Sequence, residues 1–336
     1  MIRIFHHTRY DFIRWWRAMA IATAAFIVLG LGRVFVDGGL KYSIDFTSGT
    51  LMQLNFRQTP DVAQLRAALD AGGVRNAEIT QYGSNRDFTV RAQDAEAAPG
   101  TAPAAAQTRG AETVARRIET VLANRFGANA FQVVRTEAVG PRVGDELRRG
   151  ALLAILISFG LTLAYLAVRF EWRFGLAAVL ATAHDIATTI AFIKLFNFEV
   201  SLTVVAAILT VIGYSLNDTI IIFDRVRENL KKHKGMPLYD LVNLSVNETL
   251  PRSVLTHATT LAATLALLVF AGEVIRPFAA VMAFGIFTGT FSSIYVASAL
   301  LLWIERRYPR VVPAGRAART SAVRPDVRAD APVGAR

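Results

Sequence analysis

Six stretches of this chain stay apolar for about 20 residues, the length of helix that crosses a hydrocarbon core. They fall at 18–36, 149–168, 174–195, 200–223, 253–272 and 277–303 and predict six membrane-spanning helices. The first continues into Val36-Asp37-Gly38-Gly39 without a small-x-small cleavage site, so it reads as a retained anchor. Between the first two runs the pattern changes. Ser43-Ile44-Asp45-Phe46 alternates and resumes in Leu51 to Phe56, which suggests a strand, and Val62, Leu65 and Leu69 give a helix over Asp61 to Ala71, entered through Pro60. Strands at 77–82 and 87–91, a helix over 111–126 and a strand over 131–139 complete a split-βαβ, ferredoxin-like order. The Ala/Pro/Gln/Gly-rich residues 94–109 read as an inserted flexible loop, and the tail from about Pro309 lacks periodicity and is expected to be disordered.

Composition agrees with a membrane protein: 53% hydrophobic residues, 19% charged and a mean hydropathy of +0.37. Orientation follows from the short loops, which keep their Lys and Arg on the cytoplasmic side. Arg3, Arg9, Arg14 and Arg17 precede the first span; Arg169 and Arg173 lie between the second and third; Arg225, Arg227, Lys231, Lys232 and Lys234 lie between the fourth and fifth. Arg306, Arg307 and Arg310 follow the last. The loops Phe196 to Glu199 and Gly272 to Arg276 are nearly free of basic residues. Both termini are therefore expected inside and residues 37–148 outside. Trp15, Trp16, Trp172 and Trp303 stand at span ends as interfacial anchors. The net charge of +11 is partly this topological signal and partly the basic external domain and tail, so no nucleic acid partner is expected. The basic tail reads as a solvated topology determinant near anionic lipid, with a ribosome or another basic-patch partner as the alternative, and zero cysteines leave the external domain without a disulfide.

The expected architecture is an α-helical polytopic membrane protein with six transmembrane helices and a small α+β ferredoxin-like domain after the first helix. Its parts are a cytoplasmic N-terminus (1–17), the first span (18–36), the external domain (37–148), spans two to six (149–303) and a cytoplasmic tail (304–336).

No phosphate-cradling glycine loop, metal-spaced histidine cluster or serine nucleophile elbow is present, so no catalytic residue, metal or cofactor is expected. The polar residues inside the spans carry the candidate chemistry. Asp218, in Gly213-Tyr214-Ser215-Leu216-Asn217-Asp218-Thr219, lies six residues before Asp224 and so about 9 Å inside the membrane edge. An Asp at a helix centre costs about 2.5–3.5 kcal/mol on insertion scales, which calls for a partner, water or a role. Burial favours the neutral carboxyl and a nearby cation the charged one, so Asp218 with a movable Arg can take up and release a proton; a static interhelical hydrogen bond is the alternative. His184 and Asp185, near the middle of the third span, form either a relay with Asp218 or a polar lock between helices. The fifth span is expected to begin near Pro251-Arg252 and carries Ser253, His257 and Thr259 together with Thr256, Thr260 and Thr264, which recur every four residues as one polar stripe. Arg252 is either the counter-charge of Asp218 or a snorkelling residue at a helix start. Gly213, Gly285 and Gly289 are candidate helix-packing positions, the last two for static packing or for a sliding surface. Asn217, beside Asp218, joins the relay or helix-packing candidates. Asp224 to Asn229 reads as a solvated helical extension.

These motifs together resemble the SecF type of the SecD/SecF family, a branch of the resistance-nodulation-division superfamily. The resemblance runs through Ile44 to Thr50, Val139-Gly140-Pro141 with Glu146-Leu147, His184-Asp185, Gly213 to Thr219, Phe223 to Asn229, Arg252 to Thr256, and Gly285 to Gly289 with Ser292-Ser293. Ser48 stands where that family usually has a second glycine. The resemblance implies a subunit of the bacterial inner membrane that is not an enzyme, has its external domain in the periplasm, and uses the proton-motive force to assist late, ATP-independent protein export. It carries the ion-coupling Asp and Arg onto Asp218 and Arg252. Implied partners are SecD, the SecYEG channel, YajC, the exported unfolded polypeptide and membrane lipids. A half-size exporter of lipid or small molecules and a purely structural scaffold are the rival readings.

Overall fold

The computed structural model describes residues 8–74, 77–92, 104–272 and 274–308. Residues 1–7, the first part of the expected loop (94–103), Glu273 and the tail from 309 lie outside the described residues. Among those described, six helical segments are long and apolar enough to cross a membrane. They are Ile13–Val36, containing α1 (Trp16–Val36), then α5 (Pro141–Arg169), α6 (Trp172–Leu195), α7 (Leu202–Lys232), α8 (Leu238–Phe270) and Arg276–Arg307. The last is built from α9 (Arg276–Phe291), a π-helical stretch (Ser292–Ala297) and α10 (Ser298–Arg307). Helices α6, α7 and the last span are the most buried, while α1, α5 and α8 expose large apolar side chains such as Val28, Leu156, Leu161, Leu255 and Phe270. An apolar outer surface is what lipid or other helices would cover.

Several helices run past the apolar stretches that predict them. α5 starts at Pro141, immediately after a strand, because Gly140 leaves the chain extended and Pro141 supplies the fixed φ of a first helical position. α8 starts at Leu238, so Pro251 and Arg252 lie inside a continuous helix and not at its beginning. The first three turns of α8 are invisible to an apolarity criterion because they pack on polar neighbours. Asn229 of α7 donates to Ser245 Oγ (3.0 Å) and Glu248 (2.7 Å), and Asn247 and Asn243 both donate to the carbonyl of Tyr10. The stretch Asp224 to Asn229 is likewise not simply solvated: Val226 and Asn229 are fully buried in this contact. Its exposed side carries ion pairs, Asp224 with Arg169 (2.7 Å) and Arg227 (3.3 Å), and Arg225 with Glu248 (3.0 Å).

The domain between the first two spans contains α2 (Ile44–Thr47), β1 (Gly49–Phe56), α3 (Val62–Ala71), β2 (Glu78–Gln81), β3 (Asp87–Ala92), α4 (Ala104–Phe126) and β4 (Phe131–Val139). The sheet order is β2-β3-β1-β4 with every neighbour antiparallel, the ferredoxin-like arrangement. Inward residues of β1 (Met52, Leu54, Phe56) and β3 (Phe88, Val90, Ala92) meet Leu65 and Leu69 of α3 and Ile118 and Leu122 of α4. An extra residue of β4, Val134, bulges opposite Gln53 and Leu54. Asp61 caps α3 by accepting from the Ala63 amide at 2.9 Å.

Two local expectations are corrected. Residues 104–109 belong to α4, since Ala has the highest helix propensity and the helix begun further along extends through them. Ile44 to Thr47 is a helical turn, not strand. Ser43 caps it, and its Asp45 is drawn to the start of α7, where the carboxylate accepts from the Leu202 amide at 2.9 Å. This turn docks the domain on the bundle. Tyr42 pairs with Val200, the Ser43 amide donates to the Val200 carbonyl (2.9 Å), and Arg91 of β3 bonds Glu199 (2.5 Å) and the Tyr42 carbonyl (3.1 Å).

Candidate functional site

α7 runs through the middle of the bundle and contacts α6, α8 and α9. Its N-terminus is capped by Ser201, whose hydroxyl accepts from the Val204 amide, and Tyr214, Ser215, Asp218 and Thr219 follow on successive turns of its inner surface. Asp218 is only 2% exposed. The Ser253 hydroxyl of α8 donates to its Oδ1 at 2.5 Å, while its Oδ2 is buried with the Ser293 hydroxyl close by and no well-formed hydrogen bond among the described residues.

Asp185 of α6 is equally buried but fully satisfied. His184 Nδ1 lies 3.0 Å from Oδ1, and the Ser215 hydroxyl donates to Oδ2 at 2.5 Å. The backbone carbonyl of Asp185 also accepts from Thr188 and Thr189. Asp185 thus bridges α6 and α7 with each oxygen bonded, whereas Asp218 has one oxygen bonded to α8, and His184 Nε2 is buried without a hydrogen-bond partner among the described residues. The network continues from Ser215 to the last span: Ser293 Oγ lies 3.4 Å from the Ser215 carbonyl and 2.8 Å from Thr219 Oγ1. The π-helical stretch places Ser292 and Ser293 here, both fully buried, and Ser298 donates to the Ser293 carbonyl five residues back.

His257, one turn beyond Ser253, is buried with Nδ1 2.5 Å from the Ser253 carbonyl oxygen. Tyr214 stacks edge-on against it at 5.0 Å and donates its hydroxyl to the Thr256 carbonyl (2.8 Å) and Thr260 Oγ1 (3.1 Å). Arg252 projects from the exposed side of α8, within electrostatic range of Asp218 and with no hydrogen bond to it among the described residues. The structure thus brings Asp218, Ser253 and His257 together, places Asp185 and His184 in a neighbouring network through Ser215, and leaves Arg252 outside the hydrogen-bonded set. Asn217 faces outward, and Thr256 spends its hydroxyl on its own helix, donating to the carbonyls of Arg252 and Ser253.

The three glycines behave differently. A Cβ at Gly285 would come within 2.2 Å of Val211, and one at Gly289 within 3.0 Å of Ser215, so α9 touches α7 through these two positions. Gly213 packs against no helix of this chain among the described residues: a Cβ there would meet nothing within 4 Å. The sequence marks Ser293 as a hydroxyl able to bridge helices and Ser253 as one of the polar residues of its span, but gives neither them nor Ser215 and Thr219 a part in the Asp218 site. The one signal toward that part is helical spacing, Ser215 and Thr219 flanking Asp218 and Ser253 preceding His257 by four. Among the described residues no three His, Asp or Glu side chains converge as metal ligands.

The protein-family model described as "Protein export membrane protein SecD/SecF, C-terminal" matches residues 118–307, a span that holds every residue of this site. The chain belongs to the SecD/SecF family. A second family model, the "SecD/SecF GG Motif", matches residues 35–60, which include the docking turn at Asp45. A relative from Gemmatimonas aurantiaca, "Protein translocase subunit SecF", is 61% identical over 96% of this chain and 97% of its own length. The Vibrio alginolyticus protein of the same name is 39% identical over 89% of this chain and 91% of its own. The crystal structure of SecDF, a translocon-associated membrane protein from Thermus thermophilus, superposes with a TM-score of 0.76 at 40% identity. It covers 90% of this chain, which in turn spans 39% of that longer one.

Proposed function

We propose that this chain is the SecF-type subunit of a protein-export accessory complex, and that Asp218 couples ion flow down the proton-motive force to late, ATP-independent translocation. The observation that carries the reading is Asp218 Oδ2, a buried acidic atom with the Ser293 hydroxyl close by but no well-formed hydrogen bond among the described residues, where the other buried acids, Asp185 and Glu305, are paired. Moving one charge through the field releases about 2.3 kcal/mol per 100 mV, enough to bias a bundle between two packings. Arg252 holds the carboxylate charged in one packing and withdraws in the other. His184 and Asp185 serve as the polar lock between α6 and α7. SecD supplies the matching six-helix half; SecYEG, YajC and the exported polypeptide are the further partners. The chain sits in the bacterial inner membrane with both termini cytoplasmic and residues 37–148 in the periplasm, and it performs no enzymatic step.

The docking turn supports this reading, because it ties the sheet domain to the first residue of the helix that carries Asp218. In proteoliposomes holding the complete complex, Asp218→Asn should assemble normally and abolish the dependence of translocation on an imposed ion gradient. Gradient-driven translocation at the wild-type rate would instead make Asp218 structural.

A further inference from the structure

His257 is buried beside Asp218, and the coupling described above makes no use of it. Its Nδ1 lies 2.5 Å from the Ser253 carbonyl oxygen. A carbonyl oxygen only accepts, so Nδ1 carries the hydrogen and, in the neutral ring, Nε2 presents a lone pair. That Nε2 is buried and has no partner among the described residues. The ring cannot turn freely to satisfy it, since Tyr214 packs edge-on against it and is itself held by two hydrogen bonds from its hydroxyl.

One residue therefore grips both groups. Ser253 fixes His257 through its carbonyl and Asp218 Oδ1 through its hydroxyl, leaving His257 Nε2 and Asp218 Oδ2 without a well-formed hydrogen bond among the described residues, the Ser293 hydroxyl lying beside the carboxyl. We propose that His257 is the proton acceptor for Asp218. The O–H bond of the protonated carboxyl breaks at Oδ2 and an N–H bond forms at Nε2, directly or across one water. The products are a carboxylate and an imidazolium.

Charge conservation favours this route. A neutral acid and neutral base become an anion and a cation, so the net charge of the buried pair stays zero throughout, whereas ionising Asp218 alone would leave an unpaired charge in the bundle. Among the described residues, the other charged or titratable groups around the pair are Arg252 on the exposed side of α8, Tyr214 on α7, and Asp185 with His184 on α6, where Asp185 is bonded by His184 and Ser215; the last span places the Ser293 hydroxyl beside Asp218. Arg252 is thus the outlying cation that tips the pair, and His257 the group that holds the proton in transit.

The proposal rests on Asp218 as the coupling residue, and its test separates the two. Proton and sodium fluxes would be measured across proteoliposomes containing the complete complex, wild type, His257→Gln and Asp218→Asn. The glutamine amide of the first variant can still donate to the Ser253 carbonyl and cannot take up a proton. The expected result is a proton flux at least tenfold lower in His257→Gln, with loss of one titrating limb from the pH profile and unchanged recovery of the complex. Wild-type flux and pH profile in His257→Gln, with flux abolished in Asp218→Asn, would overturn the role of His257 and leave Asp218 standing; so would flux carried by sodium and not by protons. Unchanged flux in Asp218→Asn would overturn both. Should His257→Gln fail to assemble, 15N spectra of histidine-labelled wild-type complex decide. A buried Nδ1–H neutral ring that becomes imidazolium over the pH range of the flux supports the proposal, and a ring that never protonates refutes it.

Discussion

Replacing Gly285 by alanine should force α9 away from α7, and the neighbouring geometry sets how far. The new Cβ would lie 2.2 and 2.6 Å from the two γ-carbons of Val211 and 2.9 Å from its Cβ. Carbon atoms pack at about 3.5–4.0 Å, so the contact must open by about 1 Å or more. Val211 is buried and β-branched, which leaves it little rotameric freedom inside a helix, so the adjustment falls on the helix axes. Overpacking of this kind costs about 1–3 kcal/mol. Val211→Ala alone should cost about 1–2 kcal/mol through lost packing. In the double variant both γ-carbons are gone and one Cβ–Cβ approach remains, which a shift of about 1 Å relieves. The double variant should then lose less than the two single variants together, giving a coupling of about 1 kcal/mol or more between the two positions. Gly213→Ala is the internal control: open space surrounds it, and helix propensity alone predicts a gain of up to about 1 kcal/mol. Thermal unfolding of the purified chain in mild detergent reads all four. Additive losses for Gly285→Ala and Val211→Ala, or a loss at Gly213→Ala as large as at Gly285→Ala, would refute the assignment of α9 as the close-packed neighbour of α7.

Two predictions concern the external domain. Ser48 has φ 63° and ψ 173°, a region that is essentially glycine-only and costs about 1–3 kcal/mol for other residues, so Ser48→Gly should raise the melting temperature of the chain despite the greater entropy of glycine. The Asp87 carboxyl is held below its ordinary range by the Ser84 hydroxyl (2.6 Å) first and by the Asn55 amide second. With the folded value below the unfolded one, this contribution is complete above about pH 4 and fades as pH falls through the folded value. Amide exchange across Glu78 to Ala92 should accelerate in acid, and Asp87→Asn should remove that dependence.

The spans and the strand-helix alternation of the domain were legible because apolar length and period-two burial are local properties. β1 shows it plainly, burying Thr50, Met52, Leu54 and Phe56 in turn. Elements stabilised by distant polar partners were not. The first turns of α8 depend on Asn229 and Tyr10, and the turn at Ile44 depends on the Leu202 amide, 157 residues away from Asp45. Within the site, Asp218 and Asp185 stood out because an acid in an apolar run is anomalous on its face. What separates them, one oxygen of Asp218 without a well-formed hydrogen bond and both oxygens of Asp185 bonded, is set by Ser253 and Ser215. Gly213 and Gly285 look alike in sequence, since which side of a helix meets a neighbour depends on packing that no local pattern encodes.

Pro251 gives α8 a joint. It has no N–H, so the Asn247 carbonyl four residues earlier loses its intrahelical donor, and helices bend most easily where a rung is missing. The half before this point is moored by Asn243 and Asn247 to Tyr10, and the half after it carries Ser253 and His257. A tilt of about 10° at the joint displaces a residue in proportion to its distance from the pivot, at about 1.5 Å per residue. Ser253 would move by about 0.5 Å, His257 by about 1.6 Å and the distant end at Phe270 by about 5 Å. A lever with so short an inner arm lets a small change in one hydrogen bond at Asp218 become a large excursion at the opposite face of the membrane, and lets a push from that face be felt at Asp218 as a fine adjustment.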